Sequence, residues 1–146
     1  MFPGPHRIAL DEAPHGRGTV GHLQVVPNSR NVIPGKVTFS VDLRNLTDAG
    51  LDRMEAALRS RFGQIAQQTR VAVELRQVVQ FNACHFDADC VASVRGAAAQ
   101  LGLAHMDVVS GAGHDAVYVA EVAPTGMIFV HCKDGISHNE IEDALP

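Results

Sequence analysis

A histidine in a loop that follows an apolar run is the clearest candidate for chemistry in this sequence. The apolar run, residues 126–130, reads as a short buried strand, and the loop, residues 135–140, has the sequence GISHNE. Loops after strands are where α/β proteins place reactive groups, and a neutral imidazole there can bind a metal ion or carry a proton. His138 is therefore a candidate for either role, and the alternative is a solvated loop histidine, the more common fate of a single histidine.

Two other segments combine glycine, proline and polar residues in a way that can serve a ligand. Residues 27–35, PNSRNVIPG, are punctuated by prolines and a glycine and predict a loop that holds Asn31. Residues 110–116, SGAGHDA, place Gly111 just before a predicted helix. A glycine there lets the backbone approach a ligand, and free N–H groups at a helix start suit an anion. The alternative for Gly111 is a tight turn that needs positive φ.

Arg44 ends the polar face of a predicted strand, a face that it shares with Asp42. A guanidinium in this place can grip a carboxylate through two parallel hydrogen bonds, a geometry that lysine does not offer. From these residues alone, a surface ion pair of Arg44 with Asp42 or Asp48 is the better interpretation.

Taken in order, the segments PNSRNVIPG, VDLR, SGAGHDA, PTGMIF and GISHNE resemble the amidase/hydantoinase/carbamoylase family. That family belongs to the two-metal aminoacylases and exopeptidases, and the resemblance runs from about Gly18 to Glu142. The family's other metal ligands and its general base have no counterpart upstream of Gly18 in this chain. The resemblance therefore implies the C-terminal portion of such an enzyme, and no residue of the chain is assigned as catalytic.

The resemblance also implies roles for individual residues. His138 matches a metal ligand of the family, and Asn31 and Arg44 match residues that hold the carboxylate and polar groups of the substrate. Gly111 is a candidate substrate-binding residue because its backbone can approach a ligand. His114 is a candidate substrate contact. The implied cofactors are two divalent metal ions, zinc or manganese, whose site this chain does not complete.

The sequence around two of these positions qualifies the assignment. Asn139 and Glu140 depart from the Asn-Pro that usually follows the ligand histidine, which alters the loop without removing the ligand. His131 and Cys132 have no recognised zinc spacing and are interpreted as structural, and the remaining histidines receive no role.

The reaction implied by the resemblance is hydrolysis of a non-peptide C–N bond in an N-carbamoyl-L-amino acid or a ureido acid, giving an amino acid, ammonia and carbon dioxide. Two metal ions would polarise the carbonyl group and a glutamate would act as general base. The implied partners are this small-molecule substrate and a second copy of the chain, bound through a lid domain. The chain alone is expected to be inactive, and the alternative function is a non-catalytic dimerisation or ligand-binding module.

Composition excludes several other classes of protein. Of 146 residues, 46% are hydrophobic, which is typical of a globular chain, and the net charge of −4 offers no footprint for nucleic acid. No apolar stretch is long enough to span a membrane, and the first residues lack the apolar region of a signal peptide. With an odd count of three cysteines, this predicts reduced thiols and a cytoplasmic location.

The helices and strands predicted around these residues indicate an α/β fold, and the chain divides into three segments. Residues 1–17 are expected to be irregular, the remnant of a missing upstream helix that ends near Ile8 to Leu10. Residues 18–82 are expected to form a partial lid or dimerisation domain, and residues 83–146 the C-terminal part of a zinc-exopeptidase-like catalytic domain. The lid and the partial catalytic layer are separate units in this prediction.

Periodicity defines the lid as strand, strand, helix, strand. Residues 20–26, 37–43 and 71–75 carry strand patterns, and Thr47 is a helix N-cap ahead of apolar residues at helical spacing. This order suits the second part of a ferredoxin-like unit, the fold that the resemblance implies for the lid.

The second half alternates helix, strand, helix, strand, which is typical of the end of a parallel α/β sheet. Asp87 is expected to cap a helix that runs to Leu101, and a second helix is expected from about Gly113 to Val122. Strands are predicted at residues 106–109 and 126–130.

Overall fold

A computed structural model describes residues 4–144, which form a mixed α/β structure. Residue contacts divide the chain into two compact units, the first ending at Ala83 and the second beginning at Cys84. Residues 1–3 of the expected segment 1–17 and residues 145–146 of the expected segment 83–146 lie outside the described residues. The elements are α1 (Pro5–Asp11), β1 (Arg17–Val26), β2 (Lys36–Arg44), α2 (Asp48–Thr69), α3 (Ala88–Gln100), α4 (Asp115–Ala120) and a 3-10 turn (Lys133–Gly135).

An antiparallel hairpin of β1 and β2 is the sheet of the first unit. Its register pairs Arg17 with Arg44 at one end and Val26 with Lys36 at the other, with one irregularity between Val20 and His22. The alternation of apolar and polar residues in β2 predicts this strand, because it gives the strand one face that can pack. The hairpin confirms both strand predictions in this region.

Helix α2 begins where the sequence predicts, because the Thr47 side chain accepts a hydrogen bond from the Gly50 backbone N–H at 3.1 Å. Its apolar stripe places Met54 and Leu58 in the core of the first unit. The core also contains Ile8 and Ala9 of α1, and the partly buried residues packed against it are Val41, Leu43 and Phe62. The stripe therefore faces both β2 and α1.

Helix α1 lies close to the start of β1, and glycines permit this approach. A side-chain carbon built on Gly18 would lie 2.5 Å from the carbonyl oxygen of Pro5, and one on Gly16 would lie 2.5 Å from that of Ala9. The segment was expected to be irregular apart from the end of a helix. The helix end near Ile8 to Leu10 is confirmed. The helix begins at Pro5, where irregular structure was expected, because the adjacent apolar side chains of Ile8 and Ala9 pack against α2.

The other three predicted strands are not formed in the described part of the chain. Residues 71–75, 106–109 and 126–130 have no regular hydrogen-bonded structure, and the sheet in residues 4–144 has two strands. Apolar alternation identifies a segment that suits a sheet, but a strand exists only when a neighbouring segment accepts and donates its ladder hydrogen bonds. The ferredoxin-like order and the parallel sheet are therefore not seen here.

In the second unit, the Asp87 carboxylate caps α3 as predicted and accepts hydrogen bonds from the backbone N–H groups of Asp89 and Cys90. Gly102, with φ of 67°, follows the end of this helix in the left-handed conformation that glycine tolerates. Helix α4 is shorter than expected at both ends. Among residues 4–144, no helix has the length and apolar character needed to cross a membrane.

Candidate functional site

Arg44 and Asp42 form the surface ion pair that these residues predict by themselves, and the guanidinium holds the carboxylate through two parallel hydrogen bonds. Its Nε lies 2.8 Å from Asp42 Oδ1 and its Nη2 lies 2.9 Å from Oδ2, and both side chains are half exposed, at 49% and 52%. The hydrogen bonds and the charge of each group lower the pKa of Asp42 and raise that of Arg44. Asp48, the other candidate partner, accepts a hydrogen bond from the backbone N–H of Ala83 at 2.7 Å.

Asn31 lies in the exposed loop between β1 and β2, and its Oδ1 accepts a hydrogen bond from the Ser29 hydroxyl at 2.8 Å. The Gly35 N–H donates to the carbonyl oxygen of Val26 and closes the loop. Asn31 thus lies beyond one end of β2 and Arg44 at the other. The nine residues of β2 span roughly 26 Å at about 3.3 Å per residue, so one copy of the chain does not bring the two side chains together.

His138 lies in the loop after the 3-10 turn, in the left-handed conformation with φ of 57°. Its backbone N–H donates to Glu142 Oε2 at 2.7 Å, and the Asn139 side chain accepts from the N–H of Ile141 at 3.1 Å. These contacts define the loop and leave the residue exposed. Across residues 4–144, no group of three His, Cys, Asp or Glu side chains could hold a metal ion. The described residues offer one imidazole and do not by themselves fit a metal centre.

The SGAGHDA segment forms a compact local structure around His114. Ser110 Oγ lies 2.6 Å from His114 Nε2 and also accepts a hydrogen bond from the backbone N–H of Ala112 at 3.1 Å. The Phe129 ring packs edge-on against the imidazole, with centroids 5.5 Å apart and planes at 68°. His114 precedes α4 as its N-cap residue but makes no capping hydrogen bond, because its ring turns back toward Ser110.

Gly111 and Gly113 lack a conformational reason to be glycine. Among the described glycines, positive φ occurs at Gly102 and Gly135 only. A side-chain carbon on Gly111 or Gly113 would meet no atom within 4 Å. The tight-turn interpretation of Gly111 is therefore wrong, and the open space above its Cα is the observation that remains for a ligand to use.

Ser110 and Phe129, which no sequence pattern marks as site residues, contact the predicted site residue His114. The four-residue separation of Ser110 and His114 was visible in the motif, but it does not predict contact outside a helix. Phe129 is fifteen positions from His114 along the chain, and no sequence signal pairs them. The structure places Gly111 and His114 in one loop, while His138, Asn31 and Arg44 lie in other segments.

An open cavity of about 290 Å³ lies elsewhere in the second unit. It is lined by His85, Asp87, Ala120, Ala123, Pro124 and Thr125. None of the predicted site residues lines it, and Asp87 already accepts two hydrogen bonds from the start of α3. The cavity is therefore not the place where the predicted residues meet.

Comparison with known proteins identifies relatives over nearly the whole chain. The family model described as peptidase family M20/M25/M40 matches residues 12–145. An N-carbamoyl-L-amino-acid amidohydrolase of Rhizobium meliloti is 46% identical over 136 residues, which is 93% of this chain and 33% of that protein. An allantoate deiminase of Arabidopsis thaliana is 35% identical over 136 residues, covering 87% of this chain and 26% of that protein.

A solved structure gives the same result in three dimensions. The crystal structure of an amidase of the hydantoinase/carbamoylase family from Burkholderia multivorans superimposes with a TM-score of 0.91 at 55% identity. The superposition covers 97% of this chain and 34% of that one. The chain thus spans between about a quarter and a third of the length of these relatives.

Proposed function

The chain belongs to peptidase family M20/M25/M40, and we propose that it is a substrate-positioning portion of an amidohydrolase that cleaves non-peptide C–N bonds of linear amides. The substrate in this proposal is an N-carbamoyl-L-amino acid or a ureido acid. The observation that carries the proposal is the similarity over 93% of the chain to an N-carbamoyl-L-amino-acid amidohydrolase, at 46% identity. Because the named relatives are enzymes, the comparison favours this function over a non-catalytic binding module.

The proposed reaction consumes one water molecule and converts the carbamoyl group to ammonia and carbon dioxide, leaving the free amino acid. Two divalent metal ions, zinc or manganese, would supply carbonyl polarisation and a nucleophilic hydroxide in such an enzyme. We propose His138 as one ligand, with the other ligands outside these 146 residues. Since the described residues do not form a metal centre on their own, what this chain contributes is one ligand and the positioning of the substrate.

We propose that Arg44 binds the substrate carboxylate, that Gly111 allows the substrate to approach the backbone, and that Asn31 binds a polar group of the substrate. The fork of Arg44 already fits a carboxylate, as its bonds to Asp42 illustrate. Because Asn31 and Arg44 lie at opposite ends of β2, a single small substrate would touch both only in a homodimer. In that arrangement one copy provides Arg44 and the other copy provides Asn31.

The location proposed for the protein is the cytoplasm. The three cysteines are free thiols in the structure, which suits a reducing compartment.

The proposal is tested in a chimaera in which residues 12–145 replace the matching third of the Rhizobium meliloti relative. The chimaera should bind divalent metal and hydrolyse an N-carbamoyl-L-amino acid, whereas the isolated chain should show no enzymatic turnover. His138→Ala in the chimaera should remove metal and nearly all turnover, because an aliphatic side chain cannot coordinate. His105→Ala, a change at an exposed histidine outside the motifs, is the matched control and should leave both unchanged.

Two results would contradict the proposal. Metal-dependent turnover by the rigorously purified isolated chain, abolished by His138→Ala, would show that these residues form a complete site. A folded, metal-loaded chimaera that hydrolyses no carbamoyl or ureido acid would refute the substrate class.

A further inference from the structure

The contact between Ser110 and His114 engages one ring nitrogen of the histidine and leaves the other without a hydrogen bond among the described residues. Nε2 is engaged by the Ser110 hydroxyl at 2.6 Å, and Phe129 packs against the ring. Within residues 4–144, no hydrogen bond is formed by the other nitrogen, Nδ1. Nδ1 is not among the fully buried polar atoms that lack a partner, so this atom retains some solvent exposure.

The hydrogen bonds of Ser110 indicate where the imidazole proton lies. A serine hydroxyl has one proton to donate and two lone pairs that accept. Ser110 Oγ already accepts the N–H of Ala112, at 3.1 Å. If it also accepted from Nε2–H, its own proton would have no acceptor among the described residues. Donation from Ser110 to Nε2 satisfies the hydroxyl and the ring together, and it leaves the neutral ring protonated at Nδ1.

We propose that Ser110 is a positioning residue that holds His114 as the Nδ1–H tautomer, so that His114 offers an N–H donor to an oxygen atom of the substrate. This inference rests on the proposed function for the identity of the ligand, a carbamoyl or carboxylate oxygen. It goes beyond that function by assigning Ser110 a role and by specifying the donor atom of His114. The Phe129 ring limits rotation of the imidazole and keeps Nδ1 directed away from Ser110.

The tautomer can be measured directly in the 146-residue chain. Neutral imidazoles give different ¹⁵N shifts for protonated and unprotonated ring nitrogens, and the measurement is made at about pH 8.5, where ordinary imidazoles are neutral. His105 is an internal reference, because its Nδ1 lies 2.9 Å from the carbonyl oxygen of Leu103 and a carbonyl can only accept. His114 should show the same Nδ1–H signature as His105.

Variants separate the hydrogen bond from packing. Ser110→Ala should lower the ratio of Nδ1–H to Nε2–H rings at His114 by about two- to tenfold, as expected for the loss of one neutral hydrogen bond. Ser110→Thr retains a hydroxyl and should restore the wild-type ratio. Phe129→Leu should loosen the ring yet leave the tautomer unchanged. His105 should not respond to any of the three variants.

The donor role is tested by adding N-carbamoylglycine to the wild-type chain at millimolar concentration. The Nδ1 signal of His114 should shift and that of His105 should not, and Ser110→Ala should weaken the apparent affinity by about two- to tenfold. An Nε2–H signature for His114 in the wild-type chain, or a tautomer ratio insensitive to Ser110→Ala, overturns the positioning role. Equal shifts at both rings, or none at either, overturn the donor role. Because no turnover is involved, the tautomer result does not depend on whether the proposed reaction occurs.

Discussion

Arg44 is the charged side chain on which the proposed binding of a carboxylate depends, and in the structure its fork is occupied by Asp42. A half-exposed ion pair of this kind stabilises a fold by only about 0–1 kcal/mol, because water screens both charges. A charge-assisted fork in a substrate site contributes about 1.5–3 kcal/mol. In the proposed site, the smaller energy of the intramolecular pair would allow a substrate carboxylate to displace Asp42 or to share the guanidinium with it.

Replacing Arg44 by lysine in the chimaera should therefore impair the use of carboxylate-bearing substrates. Arg44→Lys keeps the charge but loses the fork, which should cost about 1–3 kcal/mol and lower kcat/KM roughly five- to 150-fold. Metal content should not change. Steady-state kinetics and metal analysis of the purified variant provide the measurement.

Asp42→Asn is the matched control for the Arg44 substitution. It removes the intramolecular competitor while keeping the guanidinium, so kcat/KM should stay the same or rise. An unaltered kcat/KM in Arg44→Lys would show that Arg44 serves only as the surface partner of Asp42.

At the scale of elements, α1 and β1 touch closely because Gly18 has no side chain. A methyl group on Gly18 would lie 2.5 Å from the Pro5 carbonyl oxygen, which is backbone and cannot turn aside. Gly63, by contrast, is an exposed helical glycine of α2 with nothing within 4 Å of its added carbon. The two glycines therefore make a matched pair with opposite expected effects.

Gly18→Ala should destabilise the first unit, and Gly63→Ala should stabilise it by about 0.5–1 kcal/mol, because alanine loses less entropy than glycine in a helix. The free energy of unfolding, measured with denaturant and followed by helix content, tests both changes. If the Gly18→Ala variant had the same free energy of unfolding as the parent chain, α1 and β1 would not be in close contact.

An ion pair between elements makes stability depend on pH. Arg53 of α2 donates Nε and Nη2 hydrogen bonds to the two carboxylate oxygens of Glu12, at the end of α1, both at 2.7 Å. These bonds, chiefly, and the positive charge lower the pKa of Glu12. Since the folded state has the lower pKa, the contribution is fully present above the glutamate pKa of the unfolded chain and is lost as pH falls through the folded pKa.

A ¹³C titration of the Glu12 carboxylate should show a midpoint below that of an ordinary glutamate, moving upward when salt is added. Arg53→Gln should return the midpoint to the ordinary range. Arg59→Gln, which removes the partner of Glu55 on the same helix, is the control and should leave the Glu12 midpoint unchanged. If Arg53→Gln left the titration midpoint of Glu12 unchanged, this result would contradict the ion pair between Glu12 and Arg53.

On the scale of the whole molecule, apolar side chains remain exposed along segments that were expected to be buried in sheets. Ile128 is 72% exposed, Val109 67% and Val71 58%. A two-stranded sheet also leaves outward-facing edges. Unpaired edges and apolar surface favour association with other chains.

The isolated chain should therefore self-associate. Sedimentation velocity at micromolar concentration should show dimers or larger species. Lysine substitutions at Val20 and Leu23, exposed apolar residues of β1, should shift the distribution toward smaller species if the hairpin is the contact. A clean monomer with cooperative unfolding would contradict this expectation.

In the proposed homodimer, each site takes Arg44 from one copy and Asn31 from the other, and a mixing experiment tests this arrangement. Chimaeras carrying Asn31→Ala or Arg44→Ala should each be weak, but mixing and reassembling them should restore about a quarter of wild-type activity, since half of the dimers are mixed and each has one intact site. The double variant mixed with itself is the control. If mixed dimers form but activity does not recover, Arg44 and Asn31 do not come from different copies to serve one site.

Local features of this protein could be predicted from the sequence because their causes lie within a few residues. The positions of β1 and β2 follow from their strand patterns, and α2 and α3 start just after Thr47 and Asp87 because each side chain accepts hydrogen bonds from backbone N–H groups of the next turn. The order of the motifs likewise predicted the family, and the match over residues 12–145 confirms that prediction.

Only the tertiary structure decided the features whose partners are distant along the chain. Whether residues 71–75, 106–109 and 126–130 become strands depends on neighbours for their hydrogen bonds, and alternation does not supply them. The same holds for side chains. His114 meets Phe129 fifteen positions away, and Glu12 meets Arg53 across 41 positions. Such contacts arise from the packing of the whole chain. A local sequence pattern can therefore identify candidate residues, but it cannot identify which side chains contact each other.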